Sequence, residues 1–192
     1  MIPLWTLLAF LLGALPFSVW VGQLALGKEI RDYGDKNPGA TNVLRAGNPV
    51  WFGLALALDI SKAAAPVGLA YQIFGWQGWE IVPIALAPLL GHAFSPFLNW
   101  RGGKAIATTL GVWIGLTIWI VPLVGIILLV ALSLTLRPHG WSMLTTMIGV
   151  LLFLIFVVGN PVLTAVCLTH IALIIWTHRE DLQQRPKLQL KT

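Results

Sequence analysis

The sequence predicts an all-α integral membrane protein of about seven transmembrane helices, with its N-terminus outside and its C-terminus cytoplasmic. Three observations carry that reading. Of 192 residues, 57% are hydrophobic and 10% are charged, a composition that would leave a water-soluble domain with too much apolar surface. Apolar runs of about 16 to 26 residues recur from end to end, close to the roughly 20 that a helix needs to cross the hydrocarbon core. The few basic residues gather between alternate runs.

The first run, Ile2 to Leu26, lacks the basic flank and small-residue cleavage site of a secretory signal, so it reads as a retained helix. Breaks at Gly27-Lys28, Gly75-Trp76-Gln77-Gly78, Arg101-Gly102-Gly103, Val121-Pro122, Arg137-Pro138-His139-Gly140 and Gly159-Asn160-Pro161 divide the rest, because glycine and proline interrupt helices. The expected helices are 2–26, 49–74, 80–99, 103–120, 121–136, 142–159 and 161–177. With the N-terminus outside, the cytoplasmic connections and tail hold 11 of the 12 Lys and Arg, and the opposite loops hold none, the asymmetry of the positive-inside rule. Trp20, Trp51, Trp76, Trp79, Trp100, Trp119, Trp141 and Trp176 stand near expected helix ends, where an amphipathic ring prefers the interface. Trp113 is the exception. A five-span alternative treats the stretches divided by Pro122 and Pro161 as single broken crossings, which moves Arg137 and Ser142 outside; the side of Arg137 decides between the two.

No polar stretch is long enough for a second domain, so residues 1–192 read as one transmembrane domain with a polar tail at 182–192 that frays. The single cysteine, Cys167, lies in the last apolar run and has no partner for an internal disulfide. A net charge of +5 does not imply nucleic acid, since the basic residues flank spans and form no stripe. Anionic headgroups and anionic substrates are the expected partners.

Three polar segments hold the chemistry. In the first, Gly34-Asp35-Lys36-Asn37-Pro38-Gly39-Ala40-Thr41-Asn42 leads to Arg45. Pro-Gly makes a tight turn, Gly39 allows close backbone approach to a ligand, and Thr41 or Asn42 caps a helix whose free N–H groups face an anion. The alternative is a plain loop whose Arg45 marks the membrane interface. In the second, Gly102-Gly103-Lys104 opens a helix and offers free amides, a helix dipole and a flexible cation to a phosphate. It is not a Walker A loop, and a positive-inside stop with a glycine hinge is the competing reading. The third, His178-Arg179-Glu180-Asp181, offers a titratable base, a fixed cation and two carboxylates, or simply a solvated helix end. No metal site is read from it. Asp59 and Lys62 lie three apart within an apolar helix, where ionisable groups face the bundle interior and pair; support of the pocket is their expected role.

Taken together, the segments resemble the acyl-phosphate-dependent glycerol-3-phosphate acyltransferases of bacterial membranes, the PlsY family. Asn37-Pro38-Gly39-Ala40-Thr41-Asn42-Val43-Leu44-Arg45 is similar to its first motif. Gly91-His92-Ala93-Phe94-Ser95-Pro96-Phe97-Leu98 through Gly102-Gly103-Lys104-Ala105-Ile106-Ala107-Thr108 is similar to its second, and His178-Arg179-Glu180 to its third. Ser142 is similar to a serine that the family keeps beside its phosphate site. The resemblance implies an enzyme of the bacterial inner membrane with a cytoplasmic active site. It moves a fatty acyl group from acyl phosphate to the 1-hydroxyl of glycerol 3-phosphate, the first step of phospholipid synthesis, with no cofactor and no obligate protein partner. None of the four histidines has Asp five positions later, so the His-x4-Asp arrangement of acyl-CoA-dependent acyltransferases is absent.

On this reading, Lys104 and Arg45 bind phosphate in a basic pocket; Thr41, Asn42 and Ser142 donate hydrogen bonds; His178, Glu180 and Asp181 orient the glycerol hydroxyl; Asp35, Asn37, Gly39, Gly102 and Gly103 complete the substrate site. Two departures from the family pattern stand out. Its first motif usually reads Gly-Ser-Gly-Asn, against Gly34-Asp35-Lys36-Asn37 here, and its third usually ends in Asn, against Asp181. Each brings a carboxylate to a proposed dianion site. A transporter or flippase for anionic lipids or organophosphates would use a similar pocket, and an inactive homologue would explain the two acids.

Overall fold

The computed structural model describes residues 1–188; the last four residues of the expected tail lie outside the described residues. The architecture is a bundle of apolar helices. Among the described residues, four helical stretches, 2–26, 49–73, 81–98 and 139–158, are long and apolar enough to cross a membrane, and three apolar helices are shorter.

The first expected helix is in fact two, α1 (Ile2–Ala14) and α2 (Phe17–Leu26). Pro16 has no N–H to continue the ladder, and the carbonyls freed at the break need partners, since lipid supplies none. Ser95 Oγ donates to Ala14 O at 2.6 Å and Lys62 Nζ to Leu15 O at 2.8 Å. The polar side chains that look anomalous in apolar runs thus repair this kink.

The sequence reading expects a helix capped by Thr41 or Asn42; what forms there is a separate short helix, α3 (Ala40–Ala46). It leads into α4 (Pro49–Gly68), which ends in a π-helical turn at Leu69–Ile73. The cap of α4 is Asn48, whose Oδ1 accepts from the amides of Val50 and Trp51. Thr41 and Asn42 are not caps, because Asn42 lies inside α3 with its side chain committed elsewhere. α5 (Ile81–Ala93) is followed by a 3-10 turn, Pro96–Leu98, so the expected helix 80–99 stops at Ala93. α6 (Ile106–Thr117) and α7 (Ile120–Thr135) follow. α8 (His139–Phe153) runs into a π-helical turn, and α9 (Pro161–Thr177) into a four-residue helix, α10 (Arg179–Leu182).

Glycine permits close approach of backbones where apolar packing replaces the hydrophobic effect as the source of helix association. A Cβ at Gly13 or Gly91 would collide with the facing helix of the α1–α5 pair, and one at Gly111 would strike Ile60 O across the α4–α6 pair. Trp113, out of place as an interfacial residue, is instead 3% exposed and meets His170 edge to face at 5.6 Å.

Asp59 and Lys62 form a buried pair, Nζ to Oδ1 at 2.8 Å. Ser18 Oγ donates to Asp59 Oδ2 at 2.5 Å, and Lys62 Nζ also lies 2.9 Å from His92 Nδ1. With Leu15 O, the three hydrogens of the ammonium have three partners, and α4 is pinned to the α1–α2 break and to α5.

The tail does not fray throughout. β1 (Leu136–Arg137) pairs antiparallel with β2 (Lys187–Leu188), Arg137 opposite Lys187. Trp141 Nε1 donates to Gln184 O at 2.8 Å. The α7–α8 junction therefore meets the chain leaving α9 at one end of the bundle.

Candidate functional site

Each polar segment reaches that end by a local device. The first leaves α2 at Gly27, in a left-handed conformation, and turns through Ile30–Asp32, where Glu29 accepts the Arg31 amide and binds its guanidinium at 2.9 Å. The Arg31 hydrogen bond holds the Glu29 carboxyl at about 2, against the opposing effect of partial burial. Gly34 has φ +57° and its α-carbon faces the Arg45 guanidinium, so a side chain there is excluded by both conformation and space. Asn42, buried on α3, donates through Nδ2 to Asp35 Oδ1 at 3.1 Å and Asn37 O at 2.8 Å, and accepts from Arg45 Nη1 at 2.9 Å. Arg45 also reaches Asp35 Oδ1 at 3.4 Å. Asn42 and Arg45, three residues apart on one helix face, thus fix the loop that carries Asp35.

The second segment folds back on the end of α5. The amides of Gly102 and Gly103 donate to Ala93 O and His92 O at 3.1 and 3.0 Å, and α6 begins only at Ile106. This corrects the expected phosphate cradle: neither amide is free, and Lys104 precedes the helix. The glycines are required for another reason, since a Cβ on Gly102 would strike His92 O and one on Gly103 the His92 ring. Lys104 N donates to Asn37 Oδ1 at 2.9 Å, tying the second segment to the first.

The third segment is tied in by Thr177, whose Oγ1 donates to Lys104 O at 3.4 Å, and by Asp181, whose Oδ2 lies 3.2 Å from Lys104 Nζ. His178 is buried. Its Nδ1 lies 3.1 Å from both Ile174 O and Thr177 Oγ1, and Nε2 is buried without a protein partner. Burial lowers the His178 pKa, the Lys104 charge adds to this, and the Ile174 bond with the Asp181 and Asp35 charges opposes it, so the net shift favours the neutral imidazole.

Lys104 is the centre of the constellation. Its ammonium contacts Asp35 Oδ2 and Asp181 Oδ2, both at 3.2 Å, while Arg45 holds the other oxygen of Asp35. Burial raises the Asp35 pKa, but the charge and hydrogen bond of Lys104, with the Asn37 amide and Asn42, outweigh it, and the net shift is downward. Arg45 and Lys104, far apart in sequence, are joined through one carboxylate.

Two cavities meet here. A polar one of about 730 Å³ is lined by all three segments, including Asp35, Asn37, Gly102, Gly103, Lys104, His178, Glu180 and Asp181. It is lined by five cationic and five acidic side chains, so the expected basic pocket is charge-balanced. An apolar one of about 260 Å³ runs between α6, α7 and α8 past Ile106, Leu110, Trp113, Leu129, Met143 and Met147, with Gly39 and Thr41 at its polar end. Asn37 and Lys104 line both.

Ser142 lines neither. It is buried, and its Oγ donates to Leu136 O at 2.9 Å and Leu132 O at 3.2 Å, where it binds the end of α7 to α8. The expected role as a donor to substrate is thus replaced by a role in the α7–α8 junction. Sequence reasoning also missed Thr177 and Gly140; a Cβ on Gly140 would strike Asp181 on α10. Neither belongs to a motif, and only the meeting of α8, α9 and α10 reveals them.

The same fold is found in known proteins. Solved structures of PlsY (YgiH), an integral membrane glycerol 3-phosphate acyltransferase, in its glycerol 3-phosphate and lysophosphatidic acid forms each superpose with a TM-score of 0.84 at 32% identity, covering 95% of this chain and 90% of theirs. A glycerol-3-phosphate acyltransferase of Maridesulfovibrio salexigens is 34% identical over 188 residues, 96% of this chain and 93% of its own length. The enzyme of that name from Pelagibacter ubique is 31% identical over 96% of this chain and 94% of its own. Since the sequence model of the glycerol-3-phosphate acyltransferase family also matches residues 3–186, nearly the whole bundle and all three polar segments, the chain belongs to that family.

Proposed function

We propose that this chain transfers a fatty acyl group from acyl phosphate to the 1-hydroxyl of sn-glycerol 3-phosphate, giving lysophosphatidate and inorganic phosphate, the first step of phospholipid synthesis. The observation that carries the reading is the junction of the two cavities at Lys104 and Asn37. An acyl phosphate is an apolar chain ending in an anion, and it fits a site whose apolar channel opens on a polar chamber at an ammonium group.

In the reaction, the 1-hydroxyl oxygen attacks the acyl carbonyl carbon, the bond from that carbon to the phosphate oxygen breaks, and the leaving phosphate takes the hydroxyl proton. The donor is already activated, so alignment and stabilisation of the leaving charge supply most of the rate. Lys104 is the cation for the leaving phosphate, and Arg45 acts on the same region through Asp35 and Asn42. Glu180, exposed on the chamber wall, is the acceptor available to the glycerol hydroxyls, and His178 lines the same chamber.

The chain is proposed to sit in the bacterial inner membrane as seven crossings, N-terminus outside, with the polar chamber at the cytoplasmic face. The pairing of Arg137 with Lys187 supports seven over five, because it groups the α7–α8 junction with the chain after α9.

The test is purified protein supplied with acyl phosphate and glycerol 3-phosphate, with acyl-CoA as control donor. Phosphate is expected to appear only when both substrates are present, and Lys104→Met is expected to abolish it without loss of fold. Equal use of acyl-CoA would refute the donor. Substrate movement into vesicles without turnover would replace the enzyme with a transporter, and no turnover with any donor would mark an inactive homologue.

A further inference from the structure

We propose that Asp35 and Asp181 are specificity-determining residues that act as resident competitors for the anion site, holding the Lys104 ammonium until a substrate phosphate displaces them. The inference rests on the functional reading above, which makes Lys104 the phosphate-binding cation.

A bound phosphate must approach the Lys104 ammonium to within hydrogen-bond distance, and two of its neighbours are already carboxylate oxygens at 3.2 Å. Arg45, the other cation on Asp35, is engaged by that carboxylate and by Asn42 Oδ1. Neither acid can simply be ignored by an entering dianion, since like charges at such separation repel strongly even when partly hydrated. Nor is there a surplus of charge elsewhere in the chamber: Arg31 is paired with Glu29, and acids and bases balance around the wall.

The two acids differ in how they yield. Asp35 sits on a loop containing residues with positive φ, Gly34 and Lys36, and its side chain is 43% exposed, so it has water to turn into. Asp181, 19% exposed, stands on the short α10 against Gly140 of α8 and has less water to turn into. Exchange of carboxylate for phosphate on Lys104 weakens anion binding. The same exchange in reverse, after transfer, expels the product phosphate. The site therefore favours fast release of anions over their tight capture.

The experiment is calorimetric titration of inorganic phosphate, and separately of sn-glycerol 3-phosphate, into the full-length detergent-solubilised protein and its Asp35→Asn and Asp181→Asn variants. Each variant is expected to bind both anions about tenfold more tightly, about 1.4 kcal/mol, and to show product inhibition by phosphate at correspondingly lower concentration. Unchanged or weaker binding in the variants, or no anion binding by any of the three proteins, overturns the proposal. If one variant does not fold, as judged by its thermal transition, the other carries the test. Binding is read without turnover, so tighter binding in the variants of a parent protein that itself never releases phosphate from acyl phosphate would refute the reaction and keep the competition. Turnover without any gain in affinity would do the opposite.

Discussion

Replacing Lys62 with Met removes an ammonium whose three hydrogens are all used: on Asp59 Oδ1 at 2.8 Å, Leu15 O at 2.8 Å and His92 Nδ1 at 2.9 Å. The methionine roughly conserves volume, so the cost is electrostatic. Asp59, 1% exposed, keeps only the Ser18 hydroxyl, and Leu15 O loses its partner at a break where the helix provides none. Stranding one member of a buried pair typically costs about 3 to 5 kcal/mol, which for a chain of this size corresponds to a fall in the unfolding midpoint on the order of 10 °C. The double variant Asp59→Asn with Lys62→Met leaves no buried charge and is expected to recover about half of that loss. The assay is a double-mutant cycle in detergent, followed by tryptophan fluorescence on heating, with Asp59→Asn as the second single variant. Purely additive effects, or a Lys62→Met protein within about 1 kcal/mol of the parent, would refute the network as a coupled unit.

Gly103→Ala is expected to disable the enzyme more than it destabilises it, by about 1 to 3 kcal/mol, because the new methyl meets the His92 ring and shifts Lys104 N from Asn37. Gly53→Ala, with nothing within 4 Å, is the control and should be neutral or slightly stabilising in transfer and melting assays. Cysteine scanning tests the crossings, with little background from buried Cys167. A membrane-impermeant maleimide should label Gln77→Cys from outside and Arg137→Cys only after permeabilisation, and outside labelling of residue 137 would favour five spans. For acid stability, Glu29 titrates at about 2 when folded, against 4.5 unperturbed. A lowered carboxyl pKa gives stability that is present above the unfolded value and lost as pH falls toward the folded one. The gap in unfolding midpoint between the parent and Glu29→Gln should therefore close between about pH 4.5 and 2; a constant gap would refute the Arg31 pairing.

Much of the bundle was legible because its signals are local. A run of apolar residues reports its own burial in lipid, and Pro-Gly pairs report their own turns, so most helix positions were recovered within a few residues. The misreadings share a cause. Pro16 stands among apolar residues that mask it in the sequence, whereas the groups that repair the kink there, Ser95 and Lys62, lie in other segments of the chain. Gly102 and Gly103 looked like anion binders because their amides have no local partner; the partners are the last carbonyls of α5. Ser142 carried the right residue type, yet its hydroxyl is spent ten residues back along the chain.

The sequence by itself determined the solvent, the helical class, the family and the three segments that hold the chemistry, since hydropathy, turn residues and motif identity are properties of contiguous stretches. The tertiary structure decided what surrounds Lys104. Asp35 and Asp181 stand 69 and 77 residues from it along the chain, and only the packing of α3, α6 and α10 at one end of the bundle brings both carboxylates to its ammonium. Net charge is additive along a sequence, but the field at one nitrogen depends on distance, and distance is set by the fold.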